Sequence, residues 1–157
     1  MKMINKLLMI ALVSSVFLGC SKDDEDKNLP LAGVSGTYEG AITVAIPSPV
    51  TGEAIAPIPT NILIAYSSGN NAVLSLNLSI PDILPVALPI SVTCAVTSTE
   101  DNYSLSGNAS IEFPELGTIG VVIANTSKVD KSGKATIDIT ATVAEAPLPV
   151  KFEGQKK

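Results

Sequence analysis

Between Val34 and the C terminus, apolar and polar residues alternate with a period of two, interrupted by glycine, proline, asparagine and serine. Such alternation marks half-buried strands separated by turns. It predicts eight strands, over 36–46, 60–66, 72–80, 90–97, 102–113, 117–127, 134–143 and 148–153. Each has one apolar face: Tyr38, Ile42 and Val44 in the first, Leu74, Leu76 and Leu78 in the third, Ile137 and Ile139 in the seventh. No segment of this region has a helical period. Eight consecutive strands of this kind predict an all-β, eight-stranded antiparallel up-and-down barrel, because closing the sheet removes its unpaired edges. A two-sheet β-sandwich is the alternative. An eight-stranded barrel is either filled by its own side chains or holds one small ligand.

In a meander the connections alternate between two ends. Those after the first, third, fifth and seventh strands hold every proline except Pro30: Pro47, Pro49, Pro57, Pro59, Pro81, Pro85, Pro89, Pro114, Pro147 and Pro149. Proline lacks an N–H and has a fixed φ, so it stiffens segments that need not pair. The same connections carry Val50, Ile55, Ile58, Ile83, Leu84, Val86 and Leu88. An apolar set of this kind either forms a rim for a ligand or partner or folds over the barrel mouth as extra core. The other connections, around 67–71, 100–102 and 128–133, are short and polar and hold no proline. The first strand begins and the last ends at that polar end.

Upstream, Lys2 and Lys6 precede an uncharged apolar run from Leu7 to Leu18. A bilayer core needs about 20 helical residues, so the run is too short to span and reads as a secretory signal over 1–19. Phe17-Leu18-Gly19-Cys20 resembles the bacterial lipoprotein signal, with Phe17 where leucine is more usual. That resemblance implies cleavage before Cys20 and acylation of its thiol, and two or more acyl chains anchor stably where one does not. An ordinary secreted protein is the alternative. Residues 20–33 then form a flexible tether, with a reach of roughly 20 Å, and 34–157 form one barrel domain. Ser21-Lys22-Asp23-Asp24-Glu25 looks like the surface-export tag of lipoproteins from some Gram-negative gut anaerobes. It implies an outer-membrane lipoprotein facing outward, the periplasmic face being the alternative. The acidic run is a poor calcium site, because its acids are consecutive and no loop glycine follows; no metal is expected.

Composition narrows the chemistry. All ten bases are lysine, against 15 acids, and there is no histidine. Without Lys2 and Lys6 the mature chain carries a net charge of −7, which excludes the clustered lysine and arginine of nucleic-acid binders. The absence of histidine excludes a Ser-His-Asp triad and histidine metal ligands. Glu39, Glu112, Glu115, Asp138 and Glu153 are the candidates for a carboxylate pair, but each stands at a solvent-facing or turn position. No catalytic residue, enzyme activity or cofactor is expected. Cys94 alternates with Ile90, Val92 and Val96 and reads as a small buried hydrophobe. The sequons at Asn77, Asn108 and Asn125 read as chance.

Gly36-Thr37-Tyr38-Glu39-Gly40-Ala41-Ile42-Thr43-Val44 resembles the opening strand of calycin-like lipoprotein domains, which belong with lipocalin-type barrels. So do Tyr103-Ser104-Leu105-Ser106-Gly107, Leu116-Gly117-Thr118-Ile119, Ile137-Asp138-Ile139 and Val150-Lys151-Phe152-Glu153-Gly154. The resemblance covers 34 to about 155 and implies a β-barrel without implying an activity; the proline-rich 47–59 and 81–89 depart from it. Two functions follow. One is a non-catalytic module binding a small apolar ligand in the barrel. The other is a surface protein whose proline-rich apolar loops meet a partner protein or a glycan. With no tryptophan and few aromatics, the glycan is the weaker branch.

Overall fold

A computed structural model describes residues 31–157. The signal peptide, Cys20 and the tag Ser21–Glu25 lie outside the described residues. The eight strands are β1 (Gly36–Val44), β2 (Ile58–Ser68), β3 (Asn71–Leu78), β4 (Leu88–Ser98), β5 (Asn102–Phe113), β6 (Gly117–Asp130), β7 (Lys134–Val143) and β8 (Ala146–Lys156). They pair antiparallel in chain order, and β1 closes on β8 from Tyr38↔Lys156 to Val44↔Val150. This closed eight-stranded up-and-down barrel is the architecture expected from the sequence, and the sandwich alternative is not formed.

Strand starts differ from expectation where proline stands. Pro59, Pro89, Pro147 and Pro149 lie inside β2, β4 and β8, not in the connections. Each falls within the first few residues of its strand, on the exposed face, where a missing ladder donor does least harm. The remaining prolines of the described residues do sit in connections at one end of the barrel.

The alternation carries Tyr38, Ile42, Ile62, Ile64, Leu74, Leu78, Leu105, Ile137 and Phe152 into the lumen, each at most 1% exposed. A cavity large enough for a ligand would leave accessible surface on the side chains that line it. Their near-zero exposure means the lumen is filled by its own side chains, one of the two outcomes open to an eight-stranded barrel. Most outward positions are polar, with Glu39, Asn61, Ser91, Thr93, Lys128 and Glu153 facing solvent beside exposed Leu63 and Val122. A membrane-spanning barrel has the opposite pattern, with an apolar band outside. No helix among the described residues is long and apolar enough to cross a membrane.

The seam between β8 and β1 depends on two glycines. Gly40 and Gly154 face each other across it, and a Cβ on Gly154 would lie 2.5 Å from the Phe152 ring. The ring occupies the volume that a side chain at Gly154 would need.

The polar end is sealed by the entering chain. Leu31 and Val34 are buried, so Leu31, assigned to the 20–33 tether by the sequence, packs with the barrel. A turn holds this entry, with Val34 and Ser35 N–H donating to Leu31 O at 3.1 and 3.2 Å. The Tyr38 hydroxyl donates to Val34 O at 2.6 Å, and Tyr66 N–H donates to Ser35 Oγ at 3.1 Å. Lys156 Nζ reaches Gly33 O at 3.0 Å. The Tyr103 hydroxyl packs against Gly33, and Lys131 Nζ lies 3.7 Å above the Tyr103 ring. The three tyrosines thus gather where the chain enters.

β6 carries two more residues than its partners between Ile123 and Lys128. The buried Ser127 hydroxyl pins this bulge: it accepts from Asp138 N–H at 2.9 Å and donates to Asp138 O at 3.3 Å. Thr126 Oγ1 donates to the Asp138 carboxylate at 2.6 Å. Ser127→Ala removes the pin and leaves a β7 amide and carbonyl without partners. It is expected to cost about 1–3 kcal/mol, seen as a lower urea midpoint with an unchanged slope.

Candidate functional site

The proline end consists of the connections 45–57, 79–87, 114–116 and 144–145. Of the seven apolar rim residues, Ile58 and Leu88 open β2 and β4 and the other five lie in these connections. Leu84 and Leu88 are buried, and Ile55, Ile58 and Ile83 are half-buried against the core. Val50 and Val86 are 73% and 38% exposed, beside Ile46 at 37%. Most of the set therefore plugs the mouth, while a smaller part is presented to solvent. Periodicity could not separate the two groups, because loops have none.

The two longest proline-rich connections are tied together. Ser48, itself buried, donates from Oγ to the Asp82 carboxylate at 3.2 Å. The same oxygen accepts from the N–H groups of Val50 and Thr51 at 3.2 and 3.3 Å. Ser48 N–H donates to Glu53 O and Gly52 N–H to Ser48 O, both at 2.8 Å. Asp82 has φ 67°, in the left-handed region that aspartate tolerates better than most residues. Between these loops lies an open cleft of about 350 Å³, lined by Ile55, Pro57, Ile58 and Pro81 together with Glu53 and Asp82.

Besides a polar cleft of about 370 Å³ around Lys128, Asp130 and Lys134, two more clefts lie on the outer sheet face. One, of about 370 Å³, is lined chiefly by Thr37, Asn61, Leu63, Ser75 and Ser91. The other, of about 470 Å³, spans β7, β8 and β1 and carries Asp138, Lys151 and Glu153. Its charges are already engaged, Asp138 by Thr126 at 2.6 Å and Lys151 with Glu153 at 3.6 Å. At the proline end the Glu53 carboxylate has no side-chain partner among the described residues, and no lysine lies in any of the four connections.

The lysines follow the same division. Glu53, Asp82, Glu112, Glu115 and Glu145 stand at or beside the proline end. Lys128, Lys131, Lys134, Lys156 and Lys157 stand at the entry end beside Glu100, Asp101 and Asp130, with Lys157 paired to Glu39 at 2.7 Å, so all the lysines of the described residues but Lys151 lie there while acids stand at both ends. Of the carboxylates considered as catalytic candidates, Glu39, Glu112, Asp138 and Glu153 point outward on strands, and Glu115 sits in the β5–β6 turn. Glu112 accepts from Thr118 Oγ1 at 2.6 Å. The fold brings none of them into an enclosed site among the described residues. Cys94 is a buried free thiol whose pKa burial pushes up to about 11, the inert small hydrophobe expected.

No family model and no curated protein matches the sequence. Among solved structures the chain is similar to a Bacteroides fragilis protein described as a "putative outer membrane protein", with 20% identity and a TM-score of 0.54. The match covers 79% of this chain and 51% of that one, so the chain spans about half of its length. It is also similar, at a TM-score of 0.43 in each case, to a redesigned β-barrel and to the siderocalin Ex-FABP. Identity is 17% and 13%, with 80% of this chain covered in both and 93% and 74% of theirs.

Proposed function

We propose that this protein is an outer-membrane lipoprotein whose filled barrel holds a non-catalytic binding surface away from the lipid. Cys20 carries the anchor, the acidic tag directs the chain to the cell surface, and the proline-rich end takes an apolar ligand or partner. The observation that carries this reading is the chain's course. It enters the barrel at Leu31, on the end opposite the proline loops, so a tether at Cys20 leaves that rim pointing outward. Because the lumen is filled, the binding place moves from the barrel interior to the mouth, at the cleft between the two proline loops. The similarity in fold to the Bacteroides fragilis protein agrees with an envelope location.

Protein purified from its own host tests this. Intact-mass analysis is expected to show a chain beginning at acylated Cys20, and a membrane-impermeant protease is expected to cut it on intact cells. An unacylated chain, or one cut only after lysis, would contradict the anchoring and the outward face respectively.

A further inference from the structure

The cleft between the two proline loops is lined by apolar and acidic residues, a pairing that selects for charge as well as for shape. Its lining of Ile55, Pro57, Ile58 and Pro81 suits an aliphatic stem. Glu53 and Asp82 also line it, and Asp82 is held there by buried Ser48 at 3.2 Å. The four connections of this end carry Glu53, Asp82, Glu115 and Glu145 and no base. Among the described residues no lysine lies in these connections to answer them.

We infer that the cleft takes a lysine side chain from an extended, otherwise apolar segment of a partner protein. The four-carbon stem would lie on the prolines and isoleucines, with the ammonium between Glu53 and Asp82. Flanking apolar residues would then meet the exposed Val50 and Val86. A lysine stem buries apolar surface while its head stays at the polar edge. An anionic partner would face uncompensated carboxylates on every loop of this end. The inference rests on the reading of the proline end as the binding surface and adds the chemistry of what binds.

Three capped peptides separate the terms: Val-Lys-Val, Val-norleucine-Val, with the same stem and no charge, and Val-Glu-Val. Binding to the full mature chain is followed by amide chemical shifts at low ionic strength. The lysine peptide is expected to bind about tenfold more tightly than the norleucine peptide, as two partly exposed ion pairs would give. Its perturbed amides should centre on 48–58 and 81–86, and the glutamate peptide should bind weakest. In the Glu53→Gln, Asp82→Asn variant the preference should shrink to about threefold or less, and 1 M salt should do the same. Asparagine accepts the left-handed backbone of position 82, so the variant keeps its loop. Equal binding of the lysine and norleucine peptides would overturn the lysine assignment and leave an apolar rim. Failure of all three to bind would overturn both.

Discussion

Phe152→Ala is expected to lower the unfolding free energy by about 3–5 kcal/mol, the range for deleting a buried aromatic ring. Phe152 is fully buried and is the only phenylalanine among the largest fully buried side chains. It faces Ile42 on β1 and Ile137 on β7, and its ring fills the space beside Gly154 on the closing seam. A cavity there removes packing from three strands at once, and the paired glycines have no side chains to refill it. A domain of this size has about 5–15 kcal/mol to lose, so the variant should unfold at a much lower urea concentration. Phe152→Leu, which keeps most of the volume, should recover the larger part. Unfolding of Phe152→Ala within about 1 kcal/mol of the parent would mean that the lumen is loosely packed.

The second large effect is alkaline. Burial first, and then the neighbouring Tyr103, push the Tyr38 hydroxyl up to about 12 from 10.0. Burial alone pushes Cys94 to about 11 from 9.0. Both groups are neutral when protonated and fold in that form, so the unfolded chain releases its protons first. Their contribution is full below pH 9, declines from there as the unfolded chain ionises, and is lost as pH passes the folded values near 11 and 12. A shift of one unit corresponds to about 1.4 kcal/mol, so the two groups together remove about 5 kcal/mol between pH 9 and 12. Urea midpoints across that range should fall steeply in the parent and much less in Tyr38→Phe, Cys94→Ala. That double variant starts lower, because the hydroxyl's bond to Val34 is gone. Equal slopes in parent and variant would show that neither group is buried as described.

The strands were legible because their ends are punctuated. β5 and β7 run over the residues that alternation predicted, each bounded by polar or proline breaks. β2, β4 and β8 extend further because the rule that proline leaves the ladder does not hold at an exposed strand start. The β6 bulge was invisible for a different reason. Two extra residues leave the parity of Ile123, Ser127 and Val129 unchanged, and the alternation fails only at exposed Asn125 between them. Leu31 was missed because Leu-Pro-Leu-Ala-Gly reads as linker by composition, and only the open base of the barrel gives Leu31 something to bury against. The seven apolar residues expected to form a rim lie in or next to the connections of one end. Their division into a plug and a presented surface depends on contacts between loops distant in sequence, such as Ser48 with Asp82, which no local pattern encodes.

In the proposed function the two ends of the barrel differ, and the proline end points away from the lipid. This is tested most directly by placing one fluorophore at each end of the acylated chain in liposomes. Cys94 is buried and Cys20 is acylated under this account, so Val50→Cys and Glu100→Cys each offer a single reactive thiol. Strands of about ten tilted residues make the barrel roughly 25 Å tall. Energy transfer to headgroup dyes is therefore expected to be strong from position 100 and weaker from position 50. Equal transfer from both positions, or stronger transfer from position 50, would contradict the account.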